Sequence, residues 1–521
     1  MMIPLQSFFL LILQKPLDLH ISDNTQLLLS ATACLGIIGV IFQAYRLKSE
    51  RNLPLPPSPP TWRLGGHLLP PRKPFLTVAE WIDEYGPLIT IRSKFQNIVI
   101  IGRYKAAVDI METQGKILAD RPPMISGEIF TGGMSIALAP WGDRFRRMRR
   151  ALHSHLQPKA AEAYQPLLML HGKNIVLGIL DDPHNLQNHV VAYAATTIMK
   201  IAYGKNKPTS ATDPEVVEMH QIVEMSAVLR PGAHMVDLIP WLKYLPWYGR
   251  DLKLGFKKLK QLNIGQLNRV KEQMQNNEDT GPSFTKYMLE NSHLYGLTET
   301  EMAFLAGAFF GGGTQTTSLA ICTVLMAAAC FPEEQAKVHA ELDAVIGRHR
   351  APTFADQGSL PRLQAFISET LRWRPGVSSS LSHRTTQDVI WENYCIPAGT
   401  TVLGHLWPIS RDPDVYPEPD AFKPQRWLDD QGSLRDDIKF FVYGFGRRVC
   451  PGQYVADRSV FISALLILWA FRLTRDPTKP LDDMGFMNGS MPSDPLCAFE
   501  FETRIPEMEL RCMMQQHPEK L

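Results

Sequence analysis

One apolar run constrains this chain more than any other segment. Thr298-Glu299-Thr300-Glu301 has the spacing of a capping box, apolar residues continue from it to Cys330, and Pro332 stops them. About thirty helical residues make a rod of ~45 Å, long enough to cross a whole domain. A fold built around such a rod is mainly helical, with the other elements laid against it. Its middle carries Gly311-Gly312-Gly313-Thr314-Gln315-Thr316-Thr317. Each interior glycine costs roughly 1 kcal/mol relative to alanine. Three in a row predict either a local distortion beside a bulky group or helix packing through small residues.

The rest of the body fits a mainly α chain with small β-sheets. Residues 86–102 alternate and are rich in Ile and Val, which predicts a hairpin. From about 140 to 350 the pattern is helical, broken at Pro231-Gly232, Pro240, Pro246 and Gly281-Pro282. Short strands return over 389–403, with a turn at Pro397-Ala398-Gly399. No strand–helix alternation supports a parallel nucleotide-binding sheet. At 521 residues, 45% apolar and 20% charged, the chain can bury a large core. A net charge of +2 gives no general attraction to nucleic acid. The seven cysteines are scattered and odd in number, which points to a reducing compartment rather than a disulfide framework.

The nineteen positions from Leu27 to Tyr45 are nearly uncharged, about the length of a membrane-spanning helix. Arg46, Lys48, Arg51 and Arg63 follow it, so the bulk of the protein is expected in the cytosol. A cleaved signal peptide is the rival reading, through Ala31-Thr32-Ala33. The run from Ile3 to Leu13 is too short to span. Pro54-Leu55-Pro56-Pro57-Ser58-Pro59-Pro60 then reads as a stiff spacer.

The chemistry-bearing window is Tyr443-Gly444-Phe445-Gly446-Arg447-Arg448-Val449-Cys450-Pro451-Gly452. A lone Cys is usually a small buried hydrophobe. Here it follows two arginines and two glycines and precedes a helix start. A cationic setting and a helix N-terminus both favour thiolate. One thiolate held this way suits an axial ligand of iron better than zinc, which needs further ligands at short spacing.

With rod and thiol loop together, the chain resembles the cytochrome P450 family, the microsomal haem-thiolate monooxygenases, over roughly residues 50 to 510. The resemblance implies an anchor region 1–50 with one transmembrane helix, a proline-rich hinge 51–66 and a catalytic domain 67–521. It implies haem b, with Cys450 as the axial ligand of its iron, and Gly444, Gly446 and Gly452 letting backbone approach porphyrin and sulfur. Tyr443 stands where the family usually has Phe, so its hydroxyl needs a partner. Glu369 and Arg372 match the Glu-x-x-Arg signature, and with Arg426 they form a buried structural ion-pair triad. Arg149, Arg448 and His383 match propionate contacts, with Arg384 a neighbour, while Phe145 takes the place of a Trp. Arg146, Arg147 and Arg150 read as a basic face that helps dock an acidic electron donor. Thr316 matches the hydroxyl that binds dioxygen and helps deliver protons. Gln315 replaces the family's acid, and an amide organises water but supplies no proton.

The activity implied is insertion of one oxygen atom from O2 into a lipophilic small molecule, by hydroxylation or epoxidation. No flavin or nicotinamide module is read in this chain, so electrons come from NADPH through a separate reductase, with cytochrome b5 a further donor. The remaining partners are membrane lipid and the substrate, with no nucleic acid. Phe304, Leu305, Ala308, Phe309, Val377 and the 124–134 loop are the expected substrate contacts. The motif style resembles fungal secondary-metabolism members, implying terpenoid or polyketide tailoring at the endoplasmic reticulum. Two other classes stand beside this: a haem-thiolate isomerase or dehydratase that uses no O2, and a membrane-anchored haem scaffold.

Overall fold

A computed structural model describes residues 53–516, apart from 62–65, 94–95, 227–228, 230–232, 279–280, 477, 479–480 and 488–498. The expected span at 27–45 lies outside the described residues.

The rod is present as one α-helix, Glu299–Cys330, of 32 residues. Its start is the capping box read from the sequence: Thr298 accepts from the Glu301 N–H, and Glu301 accepts from the Thr298 N–H. Glu301 also receives Arg144 Nε at 2.7 Å, which ties the helix start to the Asp143–Leu156 helix. Among the described residues, two helices, Glu299–Cys330 and Gln453–Ala470, are long and apolar enough to cross a membrane, but 78% and 72% of their apolar windows are buried in protein. They are core rods.

Two apolar cores share the long helix. Its C-terminal half packs Ile321, Val324, Leu325 and Ala328 with Ile462, Leu466 and Trp469 of the Gln453–Ala470 helix. Its N-terminal half packs Met302, Leu305 and Phe310 with Ile198 and Met199 of the Leu186–Tyr203 helix and with Leu262 and Leu267 of the Arg250–Gln275 helix. Small sheets flank this body. β1 (Leu88–Ser93) and β2 (Gln96–Ile101) form the expected antiparallel hairpin, Leu88 opposite Ile101. β3 (His383–Arg384) joins them through β6 (Thr401–Gly404), in the order β1-β2-β6-β3. β4 (Val389–Trp391) and β5 (Tyr394–Ile396) make a separate hairpin.

The proline segment is more than a spacer. Proline has no N–H but keeps its carbonyl, and here the body uses those acceptors. Thr90 donates to Pro57 O at 2.7 Å through its N–H and to Pro56 O at 2.8 Å through its hydroxyl, and Cys395 N–H donates to Pro54 O at 2.9 Å.

The three central glycines do different jobs. A Cβ on Gly313 would stand 2.6 Å from Ile198 Cδ1, and one on Gly311 3.1 Å from Met219 Sδ, so these two serve close helix packing. A Cβ on Gly312 meets nothing within 4 Å. Gly312→Ala should therefore gain up to about 1 kcal/mol of helix propensity. Gly313→Ala should be the less stable of the pair by about 1–3 kcal/mol, the usual cost of overpacking. Thermal unfolding midpoints check the order, and equal midpoints would contradict the packing assignment.

Candidate active site

Burial along the long helix is broken at Ala308, Gly312 and Thr316, which are exposed although they sit mid-helix. Spacing of four puts them on one face. An open stripe on a rod buried elsewhere lines internal space. The Thr316 hydroxyl donates to Gly312 O at 2.6 Å, so its proton is held within the helix. Thr314 and Gln315 are buried instead.

Of the expected substrate contacts on this helix, only Ala308 lies open on the stripe. Phe304, one turn earlier, is covered, with the Phe256 ring 6.3 Å away. Leu305 is buried in the helical core, and the Phe309 ring lies 4.6 Å from that of Phe284. Apolar character alone did not separate the stripe from the core faces beside it. Val377 is exposed on a loop that meets the long helix, where a Cβ on Gly376 would stand 3.0 Å from Leu319. The segment 124–134, expected as a loop, holds a short helix, Ile125–Thr131, and residues from it line a cavity of about 600 Å³ together with Leu138, Arg144 and Lys243.

Cys450 sits between a 3-10 turn, Gly446–Arg448, and the Gln453–Ala470 core helix. Its N–H donates to Tyr443 O at 2.9 Å, which closes the loop. Gly444 and Gly446 have φ of +81° and +50°, a region that favours glycine. A Cβ on Gly446 would stand 2.6 Å from Met111 O, and its N–H donates to Glu112 Oε1 at 2.9 Å. Both glycines take a left-handed turn, and Gly446 also makes a chain-on-chain contact. Gly452 is the glycine near sulfur, with a Cβ position 3.9 Å from Sγ.

Burial, with a smaller push from Asp457, raises the Cys450 thiol, and the Gly452 N–H, Arg149 and the Gln453 N–H pull it down. Tyr443 has found its partner, donating to Asp457 Oδ1 at 2.6 Å.

Three guanidinium groups converge beside the thiol loop. Arg149 Nη2 donates to Val449 O at 2.6 Å. Arg448 donates to Ala119 O at 2.6 Å and Ala139 O at 2.8 Å, and its guanidinium lies 3.7 Å from the Phe145 ring centre. Phe145 thus serves as a shelf for Arg448. Arg121, which the sequence reading passed over, donates to Ala137 O, Leu381 O and Ser382 O and is 7% exposed. Burial and its cationic neighbour Arg448 pull Arg121 down to about 9, and burial and Arg149 pull Arg448 down to about 10. Asp120 partly offsets both, and it lies 3.7 Å from Arg384. His383 bonds Leu118 O through Nδ1 at 2.8 Å, and burial, Arg121 and Arg448 hold it down to about 3. The Nδ1 bond to Leu118 O fixes the ring against the 118 turn and leaves Nε2 as its second polar atom.

This cluster fits haem. Arg448 Nη1 is buried and has no partner among the described residues. Mutually repelling buried cations call for anions, and haem brings two propionates. Arg448→Leu should therefore weaken haem retention roughly tenfold to a hundredfold, the loss of a charged hydrogen bond of about 1.5–3 kcal/mol. The haem-to-protein ratio after dialysis against apomyoglobin checks this, and full retention would contradict it.

The triad is assembled. Glu369 takes Nε and Nη2 of Arg372 at 2.8 and 2.7 Å, Arg426 Nε at 3.1 Å, Trp427 Nε1 at 2.9 Å and the Lys423 N–H at 2.7 Å. On the Asp143–Leu156 helix, Arg146 pairs with Asp143 and Arg150 is exposed, while Arg147 is half-buried.

Comparison with known proteins agrees with this geometry. The family profile of Cytochrome P450 matches residues 55–496. Cytochrome P450 monooxygenase 113 of Postia placenta is 42% identical over 487 residues, covering 92% of this chain and 98% of its own. Cytochrome P450 monooxygenase 64 of the same fungus is 42% identical over 476 residues, covering 91% and 96%. A cytochrome P450 monooxygenase of Armillaria gallica is 33% identical over 507 residues, covering 93% and 96%.

Proposed function

The chain belongs to the cytochrome P450 family, and from that premise we propose that it inserts one oxygen atom from O2 into a lipophilic small molecule by hydroxylation or epoxidation. One observation carries the reading: the half-buried thiol of Cys450, beside a cationic cluster, in a fold whose longest described helix opens one face at Ala308, Gly312 and Thr316. Haem b, when bound at Cys450, supplies the redox iron at which O2 is activated. Arg121, Arg149 and Arg448 hold its propionates. The stripe leaves room for substrate, and the apolar cores on both sides of it exclude water. Thr316 releases its bond to Gly312 O to meet O2.

Electrons come from NADPH through a separate membrane-bound reductase, with cytochrome b5 a further donor, and the exposed Arg146 and Arg150 offer a basic docking face. We place the protein on the endoplasmic reticulum membrane, single-pass through 27–45, with its catalytic domain in the cytosol. Trp241, Tyr244 and Trp247 are 60%, 76% and 61% exposed on one short stretch that also carries Lys243, a composition suited to a lipid headgroup layer. From the resemblance of its motifs we place its substrate among terpenoid or polyketide secondary metabolites.

Co-expression with a reductase, against a panel of terpenoids and polyketides, tests the reaction. Oxygenated product that requires NADPH, reductase and O2 is expected. Product formed anaerobically without reductase would overturn the reading in favour of an isomerase or dehydratase.

A further inference from the structure

Position 315 lacks its acid, but the structure gives Gln315 a neighbour that the sequence does not announce. Its Nε2 donates to His220 Nδ1 at 2.8 Å, from a helix 95 positions away in sequence. The other ring nitrogen lies 3.3 Å from Glu224 Oε1, one turn along the Pro214–Ser226 helix. The side chains of His220 and Glu224 are 35% and 55% exposed, whereas Gln315 is 4% exposed. A line therefore runs from a surface carboxylate, across 3.3 Å to an imidazole, and by a hydrogen bond to a buried amide. That amide is next in sequence to Thr316 on the open stripe. Two buried oxygens stand at the inner end with no partner among the described residues, Gln315 Oε1 and Thr314 Oγ1. Buried polar atoms of that kind are normally satisfied by ordered water.

We propose that His220 supplies the protons that an acid at position 315 would otherwise supply, held by Gln315 and paired with Glu224. The proposal rests on the cytochrome P450 reading of the site. The amide nitrogen is a donor only, so His220 Nδ1 accepts from it and the ring proton sits at Nε2, facing Glu224. This is the spent form. The partly exposed ring swings away from Gln315, takes up a proton from solvent at Nδ1, its one open nitrogen, and returns as an imidazolium with N–H at both nitrogens. Nδ1 then has a proton to donate, so the Gln315 amide turns over and offers Oε1; its terminal torsion is broad and nearly two-fold. Release of the Nδ1 proton to water beside Gln315 and Thr314 restores the spent form. One proton enters from solvent, one leaves on the stripe side, and no electron moves. His220 does not reach the stripe itself; it acts through Gln315.

The test uses the full-length haem protein with an NADPH-dependent reductase and no added substrate. The ferrous–CO spectrum is recorded first. A wild-type protein without a thiolate-type band would overturn the cytochrome P450 reading and this proposal with it. With the band present, NADPH oxidation and peroxide release are measured in H2O and D2O. His220→Ala and His220→Gln should both slow NADPH oxidation roughly tenfold to a hundredfold and raise the solvent isotope effect, because a positioned proton donor contributes on this scale. His220→Gln still bonds Gln315 but cannot titrate, so it separates proton supply from support of the helix pair. Adding Gln315→Glu to His220→Ala should restore the rate, since it returns an acid to the long helix. Independently of turnover, the 15N resonance of His220 Nδ1 should be that of an unprotonated nitrogen. A His220→Gln protein with wild-type rate and isotope effect would overturn the proposal. So would a His220→Ala defect that Gln315→Glu leaves unchanged.

Discussion

Cys450→Ser should abolish turnover and remove the thiolate-type ferrous–CO band, while leaving the fold in place. The loop around Cys450 does not depend on the sulfur. It is closed by the Cys450 N–H to Tyr443 O, by the left-handed Gly444 and Gly446, and by Arg149 on Val449 O. Cys450 belongs to none of the large apolar cores, so exchange of sulfur for oxygen leaves no core cavity. What changes is the ligand. A serine hydroxyl stays protonated near neutral pH and donates little electron density, whereas a thiolate donates strongly and favours O–O cleavage. The variant should unfold within a few degrees of wild type and show no thiolate band. Retention of that band would move the ligand to another residue.

Glu369→Gln should have the largest effect on stability. Five donors aim at the two oxygens of Glu369, and both it and Arg372 are 0% exposed. In glutamine one oxygen becomes an NH2 group, which must face at least one of those donors, and the charge between Arg372 and Arg426 is lost. Breaking a buried pair from one side costs about 3–5 kcal/mol. Domains are stable by only about 5–15 kcal/mol, so much of the margin disappears. Arg372 also donates to Ser410 O, Pro419 O and Ala421 O, so the damage reaches the loop that leads to the thiol segment. Soluble, haem-loaded protein should be scarce at 37 °C. Arg150→Ala, at an exposed position, should be neutral beside it. Equal yields of the two variants would show that the triad does not hold the core.

Local signals were legible before the fold was known. The capping box at Thr298 and Glu301 needs residues three apart, and the hairpin at 88–101 needs only alternation. The Cys450 window and the Glu369/Arg372 pair are short patterns on one loop and one helix face. The rest depended on residues far apart in the chain. Arg121 lies in an ordinary Asp-Arg-Pro-Pro stretch, and only burial against 381–382 gives it meaning. Phe304, Leu305 and Phe309 are as apolar as a substrate wall, but neighbours from the 256 and 284 regions cover the two rings and the core closes over Leu305. The His220 contact with Gln315 has no pattern in either segment.

The sequence by itself determined the class of protein: a mainly helical chain with a lone Cys450 in a glycine–arginine loop, a Glu-x-x-Arg pair and a long helix that carries Gln315 before Thr316. Periodicity, caps and short motifs act over a few residues, so they are written in neighbouring letters. The tertiary structure alone decided which glycine packs and which stays open, which arginines share one buried field, and which imidazole stands behind Gln315. Those are matters of burial and of contact between distant segments, and both come into being only when the chain closes around its longest helix.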